Sequence, residues 1–272
     1  MTAPARTTSP SSLLARIARR LRREMRRPFK PLLHAMRDRQ APSLHQWMHE
    51  SSVPMTLSTK SALIVAPHPD DETFGCGGVI AMKRDAGVDV HVLMMTDGRQ
   101  SHSHIPGVDP RQMEETRKKE LLAACRILGV PDENIHFLNL ADQGVYRLSP
   151  EQQQKAAADV ASIIRSIRPG ELFVNHPTDR HPDHEAVYRL VDDALQQIDF
   201  PLDVFKYPIW LIWKGPYRWT RQPVDLKGAS RLDVRGVQER KNKAINVYAS
   251  QLPVLPPGFV DQFTGGFEYF FR

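Results

Sequence analysis

Cysteine is scarce in this 272-residue chain; Cys76 and Cys125 are the only two. That excludes a disulfide framework, and two reduced thiols fit better than a single bridge. Long apolar runs are missing too, and none approaches the ~18 residues that would read as a membrane span. Acidic residues are nearly missing from residues 1–40, where only Glu24 and Asp38 face ten arginines and Lys30. This segment carries +9, so the whole-chain charge of +6 leaves −3 for the remainder. The basic character therefore belongs to an arm, and the body gives no reason to expect a nucleic-acid partner.

The arm opens on Ser, Thr and Pro, then sets Leu13, Leu14, Ile17, Leu21 and Met25 at helical spacing among the arginines. Residues 11–39 thus have the pattern of a basic amphipathic helix able to lie on an anionic membrane surface. A poorly ordered or partner-docked extension fits equally, and an Arg-rich mitochondrial presequence has the same composition. A secretory signal is excluded, because the apolar stretch is too short and too charged.

From Ser61 onward, strand and helix patterns alternate. Strands are expected at Ser61–Ala66, Asp89–Thr96, Ile135–Leu138 and Glu171–Asn175. Helices are expected at Gly75–Ala86 (entered through Gly75, Gly77 and Gly78), Glu114–Leu128 with Gly129 as its stop, Gln152–Arg168, and His184–Gln197. This predicts an α/β, Rossmann-like, doubly wound and mostly parallel sheet flanked by helices. Val204–Trp213 reads as a further strand despite Pro208, and Lys214–Lys227 as a loop. Leu232–Val234 reads as a strand, Gln238–Tyr248 as a helix, and Pro253–Arg272 as a tail folded over the body. The expected division is a basic extension, 1–50, and one catalytic domain, 58–272.

Two acidic-histidine clusters follow predicted strands: Pro67-His68-Pro69-Asp70-Asp71-Glu72 and Asp179-Arg180-His181-Pro182-Asp183-His184. His68 and Asp71, three apart on a tight turn, can converge on one ion, with Asp70 pointing elsewhere. His181 and His184 share a face if their turn is helical. His68, Asp71 and His184 then form a two-histidine, one-carboxylate set with positions open to water. It suits catalytic Zn²⁺, although Fe²⁺ or another divalent ion would accept it. Taken singly, each residue has a plainer role: Asp70, Asp71 or Asp183 as a helix cap, each His as a hydrogen-bonded structural residue. Their joint occurrence after two strands favours one site at the carboxyl edge of the sheet.

Ala66-Pro67-His68-Pro69-Asp70-Asp71-Glu72 with Gly75-Cys76-Gly77-Gly78 resembles the signature of the PIG-L/LmbE-like zinc-dependent N-deacetylases. Pro177-Thr178-Asp179-Arg180-His181-Pro182-Asp183-His184 resembles the family's second signature. The likeness continues through Thr96-Asp97-Gly98, the Arg117/Glu120 helix, Lys241-Asn242-Lys243-Ala244, Tyr248-Ala249-Ser250-Gln251 and Glu268-Tyr269-Phe270. It covers residues 60–271 and leaves the arm outside. The resemblance implies that His68, Asp71 and His184 bind zinc and that Asp70 is the general base. It also implies that His181 stabilises the oxyanion or protonates the leaving amine, and that Asp179 orients His181. Arg99 departs from the acidic residue often found after the Thr-Asp-Gly turn. It can meet a phosphate on the substrate or remain a solvated loop arginine. Ser101-His102-Ser103-His104 reads as a flexible loop or part of a lid.

The expected function is removal of an N-acetyl or other N-acyl group from an amino sugar or glycoconjugate. The arm favours a lipid-linked substrate and a cytoplasmic enzyme at the inner face of a membrane. Hydrolysis of another bond at the same zinc site, N-glycosidic or non-sugar amide, is the enzymatic rival. An inactive sugar-binding relative is the rival of another class; the full set of site residues argues against it.

Overall fold

The computed structural model describes residues 48–214 and 228–272. The arm over 11–39 and nearly all of the loop expected at Lys214–Lys227 lie outside them. After a two-residue strand β1 (Val53–Pro54), the chain builds β2 (Ala62–Ala66), β3 (Val90–Thr96), β4 (Ile135–Leu140), β5 (Glu171–Asn175) and β6 (Asp203–Tyr207). These five pair in parallel in the order β4-β3-β2-β5-β6. The central strand β2 is a continuous apolar run because both its faces are covered. Its alternation divides the core: Ala62, Ile64 and Ala66 join one apolar cluster, Leu63 and Val65 the other.

Helices α1 (Asp71–Asp85) and α2 (Pro110–Leu128) pack in the first cluster, α3 (Pro150–Ile167) and α4 (Pro182–Leu195) in the second. This is the doubly wound arrangement that the alternation predicts. Local chemistry sets the helix ends. Asp109 caps α2 by accepting from the Arg111 N–H, Gly129 closes it at φ 91°, and Ser149 with Gln152 forms a capping box on α3.

Two expectations fail for tertiary reasons. Helix α1 begins at Asp71, four residues before the predicted start, so Gly75, Gly77 and Gly78 lie inside it. A Cβ on Gly75 would stand 2.3 Å from the Tyr207 ring, and one on Gly78 2.4 Å from Val234. These glycines permit close approach of distant segments. The predicted strand Val204–Trp213 breaks at Pro208, which lacks an N–H for the ladder, into β6 and the short helix α5 (Trp210–Lys214).

The C-terminal part folds over the first face. Strands β7 (Ser230–Asp233) and β8 (Phe267–Phe270) form a small sheet with β1, and Phe271 bridges to Lys206 within β6. Met48 is buried, and Val53–Pro54 pair with Ser230–Arg231, so residues 48–54 pack on the body. Between β7 and β8, helix α6 (Gln238–Val247) packs on α1 and α2. It sends Lys241 into α1, where Lys241 Nζ donates to Phe74 O at 2.8 Å and to Glu268 Oε1 at 2.7 Å. Glu268 in turn accepts from the Gly78 and Val79 N–H groups at 2.6 and 2.9 Å. Phe74 O is the acceptor that Gly78 would use in a regular helix, so the ion pair bridges a gap in α1. Both cysteines are buried and unbonded. Among the described residues no helix is long and apolar enough to cross a membrane.

Candidate active site

The sheet order reverses between β2 and β5, since α1 leaves β2 toward one face and α4 follows β5 on the other. A crevice opens beyond the carboxyl ends of such strands, and both clusters end there. The Pro67 carbonyl is fixed first, accepting from Thr96 N–H at 3.1 Å and Thr96 Oγ1 at 2.8 Å.

Three donor atoms converge. His68 Nδ1 lies 3.3 Å from Asp71 Oδ2 and 3.1 Å from His184 Nε2, and His184 Nε2 lies 3.1 Å from Asp71 Oδ2. A tetrahedral ion with bonds of about 2.0–2.1 Å sets its ligands ~3.3 Å apart, so this triangle fits a zinc-sized ion. The charge fits as well. Burial lowers the His184 pKa, but Asp71 and Asp179 raise it to about 9. Burial likewise opposes protonation of His68, and Asp142, Asp183 and Asp71 raise it well above its ordinary value. These carboxylates draw protons onto the imidazoles, and a divalent cation would replace those protons. A ring nitrogen of His181 also lies within 4.8 Å of those of His68 and His184, but the tighter triangle selects Asp71 as the third donor.

Carboxylates hold the outer nitrogens of both imidazoles, an arrangement that orients histidines where they bind metal. His68 Nε2 lies 3.3 Å from Asp142 Oδ1 and 3.4 Å from Asp183 Oδ2. Asp142 accepts from Gln100 N–H, and Asp183 from Gln143 and Tyr146 N–H. Burial raises the Asp142 pKa, but His68 and Arg117 bring it down to about 2. His184 Nδ1 meets Asp179 Oδ2 at 2.7 Å. The same carboxylate accepts from the N–H groups of Ile209, Trp210 and Leu211 at the start of α5, at 2.8, 3.2 and 3.0 Å. Asp179, expected on His181, thus holds His184. Arg180, between Asp179 and His181, has a left-handed backbone at φ 60°.

Asp70 is not one of the three converging donors. Its backbone has φ 134° and ψ −29°, outside the regions open to ordinary residues. Arg117 Nη2 donates to Pro69 O at 2.7 Å and to Asp70 Oδ2 at 3.3 Å. Burial pushes the Asp70 carboxyl up to about 8, against the pull of Arg117. His181 is half-buried at the N-cap of α4. Its ring lies 5.0 Å from that of His68, 4.8 Å from that of His184, and stacks on Trp210 at 6.0 Å. Arg99, which the sequence leaves open between a phosphate contact and a solvated loop arginine, pairs with Asp97 at 2.8 Å and Glu114 at 2.6 Å. His102 is buried, with Nδ1 2.9 Å from Ser101 Oγ.

Sequence reasoning missed Asp142 and read Asp183 only as a cap. Asp142 follows β4 as Asp97 follows β3, and this repeated strand-then-Asp pattern is the signal that could have found it.

The family model described as PIG-L, GlcNAc-PI de-N-acetylase, matches residues 63–195, which span both clusters. The 1D-myo-inositol 2-acetamido-2-deoxy-alpha-D-glucopyranoside deacetylase of Rhodococcus opacus is 27% identical over 249 residues, covering 74% of this chain and 85% of its own. The diacetylchitobiose deacetylase of Thermococcus kodakarensis is 28% identical over 203 residues, covering 71% of each chain. A solved 4-carboxy-2-hydroxymuconate hydratase from Pseudomonas putida aligns at TM-score 0.58 and 22% identity, covering 75% of this chain and 83% of its own. That likeness shows the fold alone, and the fold serves more than one chemistry. The match across both signatures and the deacetylase relatives together carry the assignment: residues 63–195 match the PIG-L/LmbE-like N-deacetylase family.

Proposed function

We propose that this protein is a divalent-metal N-deacetylase that releases acetate from an N-acetylated amino sugar or its conjugate. The observation that carries the reading is the triangle of His68, Asp71 and His184 donors with a separate carboxylate, Asp70, and a separate imidazole, His181, beside it. Zinc suits the two-nitrogen, one-oxygen set and its spacing. When bound, such an ion supplies Lewis acidity and makes water ionisable near neutral pH.

The chain's residues do the proton work. Asp70 takes a proton from the attacking water as that oxygen bonds to the amide carbon. His181 faces the substrate with its N–H, stabilising the oxygen that gains charge and passing a proton to the departing nitrogen. The C–N bond breaks, and the products are acetate and the free amine. Asp179, Asp142 and Asp183 keep the ligating rings in register. Arg99, tied to Asp97 and Glu114, shapes the loop after β3 rather than binding an anion.

We further propose that the basic arm, read from the sequence as residues 1–50 ahead of a catalytic domain 58–272, directs the enzyme through 11–39 to an anionic membrane surface where a lipid-linked sugar is met; its end from Met48 onward packs on the body. The +9 charge of residues 1–40 supports this. The test is acetate release from free, nucleotide-linked and lipid-linked N-acetyl sugars, comparing the full chain with one lacking 1–40. Loss of activity only on substrate in anionic vesicles is expected for the shortened chain. No acetate from any N-acetyl sugar, with zinc supplied, sinks the deacetylase reading.

A further inference from the structure

A buried chain of hydrogen bonds runs from the C-terminal segment to Asp70, and the mechanism above does not use it. Glu72 is fully buried. Its Oε2 accepts from the backbone N–H of Asp70 at 3.1 Å. Its Oε1 accepts from Thr73 Oγ1 and from Tyr248 OH, both at 2.5 Å. The Asp70 N–H can only donate, and both hydroxyls donate as arranged here, so the carboxylate accepts at both oxygens. Tyr248, also fully buried, lies just beyond α6 and 176 positions away in sequence.

The end of this chain is the strained residue. A backbone at φ 134° is costly for a non-glycine residue and persists only when its surroundings over-determine it. Glu72 holds the Asp70 N–H, Arg117 holds the Pro69 carbonyl, and the first turn of α1 holds the Asp70 carbonyl through Thr73 and Phe74 N–H. We propose that Glu72, locked by Tyr248 and Thr73, is a positioning residue that fixes the backbone of Asp70 so that its carboxylate faces the attacking water. The inference rests on the reading of Asp70 as the base. It gives the C-terminal segment a part in catalysis that the sequence signatures do not disclose.

The test is a double-mutant cycle of Glu72→Gln and Tyr248→Phe, each alone and on an Asp70→Ala background, with bound metal, melting temperature, KM and kcat measured. Glu72→Gln replaces one accepting oxygen by an N–H₂, which either faces the Asp70 N–H or forces both hydroxyls to reverse, and a shift of about 1 Å at a reacting group costs on the order of 10²-fold in rate. A fall in kcat of that size is expected, with KM within about twofold and metal content unchanged. Tyr248→Phe, which keeps the ring and removes only the hydroxyl, is expected to lose roughly tenfold, equivalent to one hydrogen bond to a charged group. On the Asp70→Ala background neither change should cost more, because residues acting as a unit are non-additive. Unchanged kcat in both single variants, or an equal further loss without Asp70, overturns the inference. So does loss of metal in Tyr248→Phe, which would make the network structural. Wild-type kcat in Asp70→Ala alone would instead remove the base assignment itself, so the two failures are distinguishable.

Discussion

The two ends of the parallel sheet both bury charge, and they do so in opposite ways. At the amino end, Lys83 Nζ meets Glu171 Oε2 at 2.7 Å and the carbonyls of Ser58 and Lys60, while Ser58 Oγ donates to Glu171 Oε1. One cation and one anion are matched, with their remaining valences satisfied. At the carboxyl end, Asp70, Asp71, Glu72, Asp142, Asp179 and Asp183 are buried against one guanidinium, Arg117, and the imidazoles of His68 and His184. A matched pair needs nothing more. A surplus of carboxylates draws protons onto its imidazoles, and a divalent cation there would take their place. The difference separates charge buried for architecture from charge buried for chemistry.

The strongest way to break this comparison is to change the base. Asp70→Ala should lower kcat by about 10²–10⁴-fold while the metal content holds, because general acid–base steps contribute that much. Metal measured in the purified variant, beside acetate release, checks it; near-normal kcat would move Asp70 to the architectural class. The reverse experiment is Lys83→Met. It leaves Glu171 buried without its partner and should destabilise the fold by about 3–5 kcal/mol, with kcat per folded molecule unchanged. Urea unfolding and turnover of the same preparation decide it. A loss of kcat without loss of stability would contradict the division between the two ends.

The same division explains what was legible in the sequence. Apolar runs and their alternation disclosed the strands, because a strand buried on both faces reads as an unbroken run. Histidine and aspartate immediately after such runs disclosed the site, because the switch point of the sheet collects strand ends. What stayed hidden was set by contacts between distant segments. Gly75 and Gly78 read as the entrance of a helix, yet they sit inside one where Tyr207 and Val234 press close. Asp142 lies on a turn without histidine, and only the fold brings it to His68. Asp179, expected on His181, meets His184 instead.

His176, at the carboxyl end but outside the metal triangle, sharpens the comparison through pH. Its Nδ1 accepts from the Thr178 N–H at 3.2 Å, which requires an unprotonated nitrogen. Burial lowers its pKa to about 4, with Asp179 opposing, from an ordinary value of 6.5. A folded-state pKa below the unfolded one means the contribution is fully present above pH 6.5 and is lost as pH falls toward 4. The shift corresponds to about 3 kcal/mol at most. His176→Asn keeps an acceptor for the Thr178 N–H without a titrating ring. Its stability should therefore decline less than that of the parent between pH 6.5 and 4. Parallel stability curves would show that His176 does not stay neutral in the fold.

The smallest effect tests the correction at Asp179. Asparagine there keeps the shape of the side chain and removes the charge that faces His184 Nδ1. It also leaves only one good acceptor for the N–H groups of Ile209, Trp210 and Leu211. Loss of such a carboxylate–histidine contact typically weakens a metal by about 10–100-fold. Asp179→Asn should show that loss in competition with a chelator, and its kcat should recover toward wild type when metal is saturating. If Asp179 instead served His181, metal affinity would hold and kcat would stay low at any metal concentration. Affinity and turnover thus move separately, and the pair of measurements says which imidazole the carboxylate serves.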